Sequence, residues 1–309
     1  MTIPDYDGPY RRELVTALEA VHRASTVIMT FYEAQSAATY TKGDGSPVTD
    51  ADLASDRVIR EIIAQMFPGD ALLTEEGAQD VGRLTNARCW IVDPIDGTAQ
   101  YVARTGLFDV MIALCVDGRP VVAVSVQPVT GRVQAAVTGA GAWEISEGEV
   151  SRFEIGPRAG LPRLVSSKWY GGLEPDRGAA AKRIAKRLGA PEPPILEVGY
   201  QSRAFSLPNR PYDAFVGLPS PSGESIAQEW DLACVDLITH EAGGRFADCW
   251  GRLHRYNKRL TSISGGILAS ADPELHHALL DAIIPELPAA MPAEGPADAL
   301  PERPSDGSG

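Results

Sequence analysis

The 309-residue chain is poor in cysteine, histidine and positive charge, and each shortage removes a class of function. Its four cysteines, Cys89, Cys115, Cys234 and Cys249, form no CxxC pair, so no zinc site is expected. Three of them sit in apolar surroundings and read as small core residues, which fits a reducing, cytoplasmic compartment. Against 41 acidic residues stand 28 Lys and Arg, a net charge of -13. That balance argues against a nucleic-acid polymer or an anionic membrane as partner. No run of about 18 apolar residues occurs, so no membrane span is expected. The opening "MTIPDYDGPYRRELV" has no basic n-region or apolar h-region, so no signal peptide is expected. Neither GxGxxG nor a P-loop follows a predicted strand, and no EF-hand loop is complete.

What is present is a globular α/β pattern. Residues 8 to about 36 carry Leu14, Leu18, Val21 and Ile28 at helical spacing. A glycine-rich loop, "TKGDGSPVT", leads to a second helix with Thr49 or Asp50 as N-cap and an apolar stripe of Leu53, Val58, Ile62 and Met66. "ALLTEEG" and "CWIVD" read as short apolar strands. "DVMIALCVDG", "RPVVAVSVQPVTG" and "RVQAAVTG" read as three more, joined at Asp117-Gly118 and Thr130-Gly131, and the strand "GAGAWEI" and its successor follow. From about residue 160 strands and helices alternate, ending in the helix "ADPELHHALLDAIIPEL". The expected organisation is an N-terminal α+β half (1–159), a C-terminal α/β half (160–287), and a disordered Pro/Ala/Gly/Glu/Ser tail (288–309).

Acidic residues cluster at the ends of apolar elements. Asp52 lies in the first turn of a helix, Glu75 and Glu76 follow "ALLT", Asp93 and Asp96 follow "CWIV", and Asp231 opens the apolar helix "LACVDLI". Taken singly, each reads as well as a helix-start charge, a solvated strand end or a turn. Taken together they are hard oxygen ligands suited to Mg²⁺, and carboxylates gathered in one place repel one another unless cations lie between them.

"WIVDPIDGTAQY", with "EE" about 20 residues upstream and "WD…AGG" far downstream, resembles the inositol monophosphatase superfamily of Mg²⁺-dependent, lithium-sensitive phosphatases over roughly residues 10–285. The resemblance implies a layered αβαβα sandwich, with an antiparallel sheet in the first half and a mixed sheet in the second. It also implies two to three Mg²⁺ ions, inhibition by lithium, and a small-molecule phosphate ester as substrate, in a monomer or homodimer. By resemblance, Glu75, Asp93 and the Ile95 carbonyl hold one ion, and Asp93, Asp96 and Asp231 a second. Glu75 also helps a third ion through water. Thr98 and Asp52 orient and activate the attacking water, and Gly97 and Thr98 bind phosphate.

Within the superfamily, "KGDGSPVTDAD", "QEWDLA" and "GRLHRYNKR" look like the bacterial 3'(2'),5'-bisphosphate nucleotidase branch, which converts 3'-phosphoadenosine 5'-phosphate to AMP. Inositol-1-monophosphatase, histidinol-phosphatase and fructose-1,6-bisphosphatase are the alternatives, with a non-catalytic metal- or phosphate-binding regulator of the same fold as the non-enzyme reading. Isoleucine in "DPIDGT" is more typical of inositol phosphatases, and "TAQYV" replaces the usual "TKEF" of the nucleotidases. Against inositol, Gly217 stands where inositol phosphatases carry a glutamate, four residues after an aspartate that here is Asp213. Tyr200, Gln201, Ser202 and Arg203 fall where the family contacts its leaving group. A tyrosine there can stack on a base and an arginine can take a second phosphate.

Overall fold

The computed structural model describes residues 2–43, 45–78, 80–156, 158, 160–167, 175–196 and 211–288. The tail beyond Pro288 and the segment Tyr200–Arg203 lie outside these residues.

Helices α1 (Arg11–Ala34) and α2 (Asp50–Met66) flank a small antiparallel hairpin of β1 (Thr39–Thr41) and β2 (Pro47–Thr49), where the sequence reads only as a loop. A seven-stranded sheet follows in chain order: β3 (Ala71–Thr74), β4 (Arg88–Asp96), β5 (Asp109–Val116), β6 (Arg119–Gln127), β7 (Arg132–Val137), β8 (Gly141–Ser146) and β9 (Glu149–Phe153). Only the β3–β4 pair is parallel. A one-turn helix, α3 (Thr98–Val102), leaves the end of β4.

The second half supplies β10 (Leu164–Ser167), α4 (Pro175–Arg187), β11 (Ile195–Leu196), β12 (Ala214–Gly217), β13 (Ala227–Gln228), α5 (Glu229–Glu241), β14 (Arg245–Ala247), β15 (Ser262–Ile263), β16 (Ile267–Ser270) and α6 (Pro273–Ile283). Its mixed sheet runs β11-β10-β12-β16-β14, with β10 parallel to β11 and β12. Strand β16, which the periodicity did not mark, sits inside this sheet between β12 and β14. Its run Ile267–Ser270 is short and opens on two glycines, so it carries little strand signal.

Three apolar layers hold the sandwich together. Trp90 and Val92 of β4 pack under α1 and α2, while Cys89 and Ile91 face α5 and the second sheet. This is why "CWIV" is apolar throughout: both faces of the strand are covered. Helix α5 lies between the two sheets and is buried from Leu232 to Thr239, matching its near-continuous apolar sequence. Leu164, Val216 and Leu268 on the far face meet α4 and α6. The layers are therefore α1/α2, first sheet, α5, second sheet and α4/α6, the αβαβα order expected. All four cysteines are buried and unpaired. No described helix is long and apolar enough to cross a membrane.

One expectation fails. The buried face of α2 is not Leu53, Val58, Ile62 and Met66: Leu53 is 42% and Met66 38% exposed, and the residues turned inward are Ala51, Asp52, Ser55, Asp56, Ile59 and Ile63. The inner face of the helix is polar at its N-terminal end because that end serves a site, so apolar periodicity picked the wrong stripe.

Candidate active site

Helix α2 begins with a capping box. Thr49 is the N-cap, and its hydroxyl takes the Ala51 and Asp52 N–H groups at 3.2 and 3.4 Å. Asp52 reaches back with Oδ2 to accept from the Thr49 N–H (2.9 Å) and hydroxyl (2.5 Å). Its other oxygen, Oδ1, accepts from the Thr98 hydroxyl at 2.8 Å. The Thr98 hydroxyl also lies 3.2 Å from the Ile95 carbonyl. Asp52 is fully buried and Thr98 is buried. Burial raises the Asp52 pKa, and the hydrogen bonds from Thr49 and Thr98 oppose that rise.

One turn on, the Ser55 hydroxyl donates to the Pro94 carbonyl at 3.0 Å. Asp56 continues the same face, and burial raises its pKa against a hydrogen bond with Thr74, the residue before Glu75. Residues 52, 55 and 56 share one side of the helix. They touch the start of α3, the end of β4 and the end of β3. Asp93 pairs with Met111 and Asp96 with Asp109, and the β4–β5 register shifts between them, so Pro94 and Ile95 bulge out of the ladder. Asp93 Oδ1 accepts from the Ile95 N–H at 3.0 Å. Gly97 has φ +91°, and a Cβ there would stand 3.2 Å from the Leu107 carbonyl, so both conformation and space call for glycine.

Asp231 repeats the local design of Asp52. It is the third residue of α5, and its Oδ2 accepts from the Gln228 N–H at 2.7 Å. Asp93, Asp96 and Asp231 offer carboxylate oxygens that all lie within 4.8 Å of one another. Burial, then the charges of Glu75, Asp96 and Asp231, push Asp93 well above the usual carboxylate range. Burial also pushes Asp231 well up, with Asp96 and Glu75 adding to it. Carboxylates gathered this closely suit a hard divalent cation, which would reverse the local sign.

Glu75 stands beside this group rather than in it. It hydrogen-bonds Asp93, and its Oε1 accepts from Lys42 Nζ at 2.6 Å. Lys42 also donates to Glu76 at 2.6 Å. Glu76 is raised first by burial, and Lys42 is raised by the two glutamates against the burial that lowers it. The β1–β2 turn thus delivers a lysine to the edge of the carboxylates. Lys258 is buried and donates to the Ser262 carbonyl at 2.9 Å. Asp213 is fully buried in a bidentate pair with Arg163, at 3.0 and 3.1 Å, which marks it as structural.

Sequence reasoning missed Ser55 and left the N-cap open between Thr49 and Asp50. The spacing Thr49-x-x-Asp52 before a helical run is a capping-box pattern and could have settled the cap. Nothing in the sequence marks Ser55.

The structure thus brings together Asp52, Glu75, Asp93, Ile95, Asp96, Gly97, Thr98 and Asp231 from both halves of the chain. It sets a cluster of carboxylates able to hold a cation beside a fixed hydroxyl–carboxylate pair. The sequence profile of the inositol monophosphatase family matches residues 10–172. A Streptomyces griseus protein named glucose-1-phosphate thymidylyltransferase is 34% identical over 213 residues, 68% of this chain and 76% of that protein. The histidinol-phosphatase of Mycobacterium tuberculosis is 31% identical over 249 residues, 77% of this chain and 88% of that protein. The crystal structure of CysQ from Bacteroides thetaiotaomicron, a bacterial member of the inositol monophosphatase family, aligns with a TM-score of 0.69 at 25% identity, covering 86% of this chain and 99% of that one. The chain belongs to the inositol monophosphatase family, and the family places it among metal-dependent phosphomonoesterases.

Proposed function

We propose that the chain is a Mg²⁺-dependent phosphatase of a bisphosphorylated nucleoside, with 3'-phosphoadenosine 5'-phosphate as substrate and AMP as product. In this reading Asp93, Asp96 and Asp231 hold one cation, and Glu75, Asp93 and the Ile95 carbonyl hold another. Bound Mg²⁺ supplies Lewis-acid polarisation of the phosphoryl group and activation of water. Lys42 must yield Glu75 for the second cation to take it. Asp52 accepts the Thr98 proton at Oδ1, which leaves the Thr98 oxygen able to accept from the attacking water and aim it. Gly97 lets the chain turn so that the first N–H groups of α3 meet phosphate oxygens. The Thr98–Asp52 contact at 2.8 Å carries the catalytic part of the reading.

The substrate choice rests on a different observation. Two segments that look like nucleotidase loops both border the carboxylates: Lys42 bonds Glu75, and the backbone of Asn257 and Lys258 bonds Glu229, two residues before Asp231. Gly217 offers no side-chain acceptor for a polyol hydroxyl. Unpaired, buried cysteines support a reducing, cytoplasmic setting. Histidinol phosphate is the second reading, favoured by the histidinol-phosphatase relative.

The test is phosphate release from 3'-phosphoadenosine 5'-phosphate, histidinol phosphate, inositol 1-phosphate and fructose 1,6-bisphosphate with Mg²⁺, with and without Li⁺. The bisphosphorylated nucleoside should show the highest kcat/KM, Li⁺ should inhibit, and Asp93→Asn should abolish release. A higher kcat/KM on any other ester refutes the substrate, and full activity of Asp93→Asn refutes the site.

A further inference from the structure

One buried carboxylate near the site has no part in the chemistry above. Glu229 is the first residue of α5 and is fully buried. Its Oε2 accepts from the Asn257 N–H at 2.7 Å and its Oε1 from the Lys258 N–H at 2.9 Å. Its own N–H donates to the Thr261 carbonyl at 2.9 Å. Two consecutive backbone N–H groups are thus matched to the two oxygens of one carboxylate.

The loop they belong to reaches the other half of the molecule. Asn257 is left-handed, with φ 60°. Its Oδ1 accepts from Arg83 Nη1 at 2.7 Å, and its amide donates to the Arg83 and Asn86 carbonyls at 3.1 and 3.3 Å. Arg83 Nη2 donates to the Lys258 carbonyl at 2.6 Å. Arg83 is buried, and its turn, Val81–Thr85, lies in the connection from Glu75-Glu76 to β4. A continuous chain of hydrogen bonds therefore runs from the connection that carries the first-half acids to the first turn of α5. Asp231 is the next-but-one residue of that turn.

We propose that Glu229 is a positioning residue: by clamping the 257–258 loop, and through it Arg83, onto the start of α5, it sets where Asp231 stands relative to Asp93 and Asp96. The proposal rests on the cation-site reading above. Asp93 and Asp96 come from the first sheet and Asp231 from a helix of the second half, so their mutual reach depends on how the two halves are fastened beside the site. Glutamine at 229 would keep one acceptor and turn an NH₂ against the other backbone N–H. Asn257→Gly would keep the left-handed backbone and remove the side-chain bonds to Arg83 and Asn86, leaving only the Arg83 bond to the Lys258 carbonyl.

The experiment uses the full chain, wild type, Glu229→Gln and Asn257→Gly. Mn²⁺ binding is read from the electron paramagnetic resonance signal of the free ion, beside thermal unfolding and kcat and KM on whichever ester the wild type hydrolyses best. Glu229→Gln should weaken Mn²⁺ binding on the order of tenfold and lower kcat by a similar factor with KM little changed, as for partners behind metal ligands. Asn257→Gly should move the same quantities in the same direction by less. A lower unfolding midpoint with wild-type Mn²⁺ binding and kcat in folded Glu229→Gln would mean a merely structural role and overturns the proposal. Should Glu229→Gln not fold, Asn257→Gly decides by the same criterion. Absence of Mn²⁺ binding in the wild type would instead overturn the cation-site reading, so the two failures are distinct.

Discussion

Thr98→Val separates what the Thr98 hydroxyl does for the fold from what it does for the reaction. Valine keeps the shape of threonine and removes the hydroxyl. In the folded protein that hydroxyl is the 2.8 Å donor to Asp52 Oδ1, while Asp52 Oδ2 is already occupied by Thr49. Asp52 is 0% exposed, so the loss leaves one oxygen of a buried carboxylate without this donor. A buried group stripped of its partner costs about 1–3 kcal/mol. For a chain of this size each kcal/mol lowers the midpoint by about 2–4 °C, so scanning fluorimetry should show a fall of several degrees. Loss of a proton-transfer partner costs about 10²–10⁴ in rate, or roughly 2.7–5.5 kcal/mol in the barrier. Phosphate release at saturating Mg²⁺ should fall by that factor at a temperature where the variant is fully folded. Thr98→Ser restores the hydroxyl and should recover most of both losses. Folded Thr98→Val that turns over within about threefold of wild type would refute the assignment of Thr98 and Asp52 as the water-orienting pair.

Lys42→Met removes the cation held at 2.6 Å by both Glu75 and Glu76. The metal-free protein should melt lower and gain more from added Mg²⁺ than wild type does; equal Mg²⁺ responses in a melting titration would count against Lys42 as a stand-in for the cation. Arg119 holds the fully buried Asp236 by two contacts at 2.9 Å, and Asp236 also accepts from Tyr256 at 2.8 Å. His240 Nδ1 also lies 2.9 Å from Asp236 Oδ1, so Arg119→Met leaves the buried carboxylate two partners and should cost about 1–3 kcal/mol in urea unfolding, and a loss under about 0.5 kcal/mol would contradict that. His276 is 7% exposed, bonded to Ser270 at 3.0 Å, and burial lowers its pKa from 6.5 to about 4. A depressed pKa contributes stability that is present above pH 6.5 and lost as pH falls toward 4. The loss should reach about 3 kcal/mol at most, and His276→Asn should flatten the unfolding free energy across that window. An unchanged slope in the variant would show that other groups set it.

Most of the elements and the acidic cluster were legible because their signals are local, while the order of the layers and the roles of the acids came from the family resemblance. "CWIV" is apolar on both faces because α1 and α2 cover one and α5 the other, and "LACVDLI" is apolar all round because two sheets enclose it. Asp93, Asp96 and Asp231 announced themselves as acids at the ends of such elements. What stayed hidden depends on long-range contacts. The inward face of α2 carries Asp52, Ser55 and Asp56 where a hydrophobic pattern looks for leucines. Strand β16 is defined by neighbours on both sides rather than by its four residues. Lys42 reaches Glu75 across 33 residues and Arg83 reaches Lys258 across 175, and no spacing rule joins such pairs.

Asp52 and Asp231 show how one local device serves two jobs. Each is the third residue of its helix, and each gives one oxygen to the N–H of its own N-cap residue. That bond fixes the carboxylate plane before any ligand arrives and leaves the other oxygen for the site. Asp52 spends its second oxygen on Thr98, and Asp231 turns toward Asp93 and Asp96. A carboxylate already held by a backbone donor has fewer rotamers to lose when a cation binds, which favours tight and geometrically selective binding. The same capping bond that starts each helix therefore also orders the site. The two cap residues differ because Thr49 supplies a second donor to Asp52 through its hydroxyl, whereas Gln228 turns its side-chain oxygen to Thr261 and so joins α5 to the 257–261 loop.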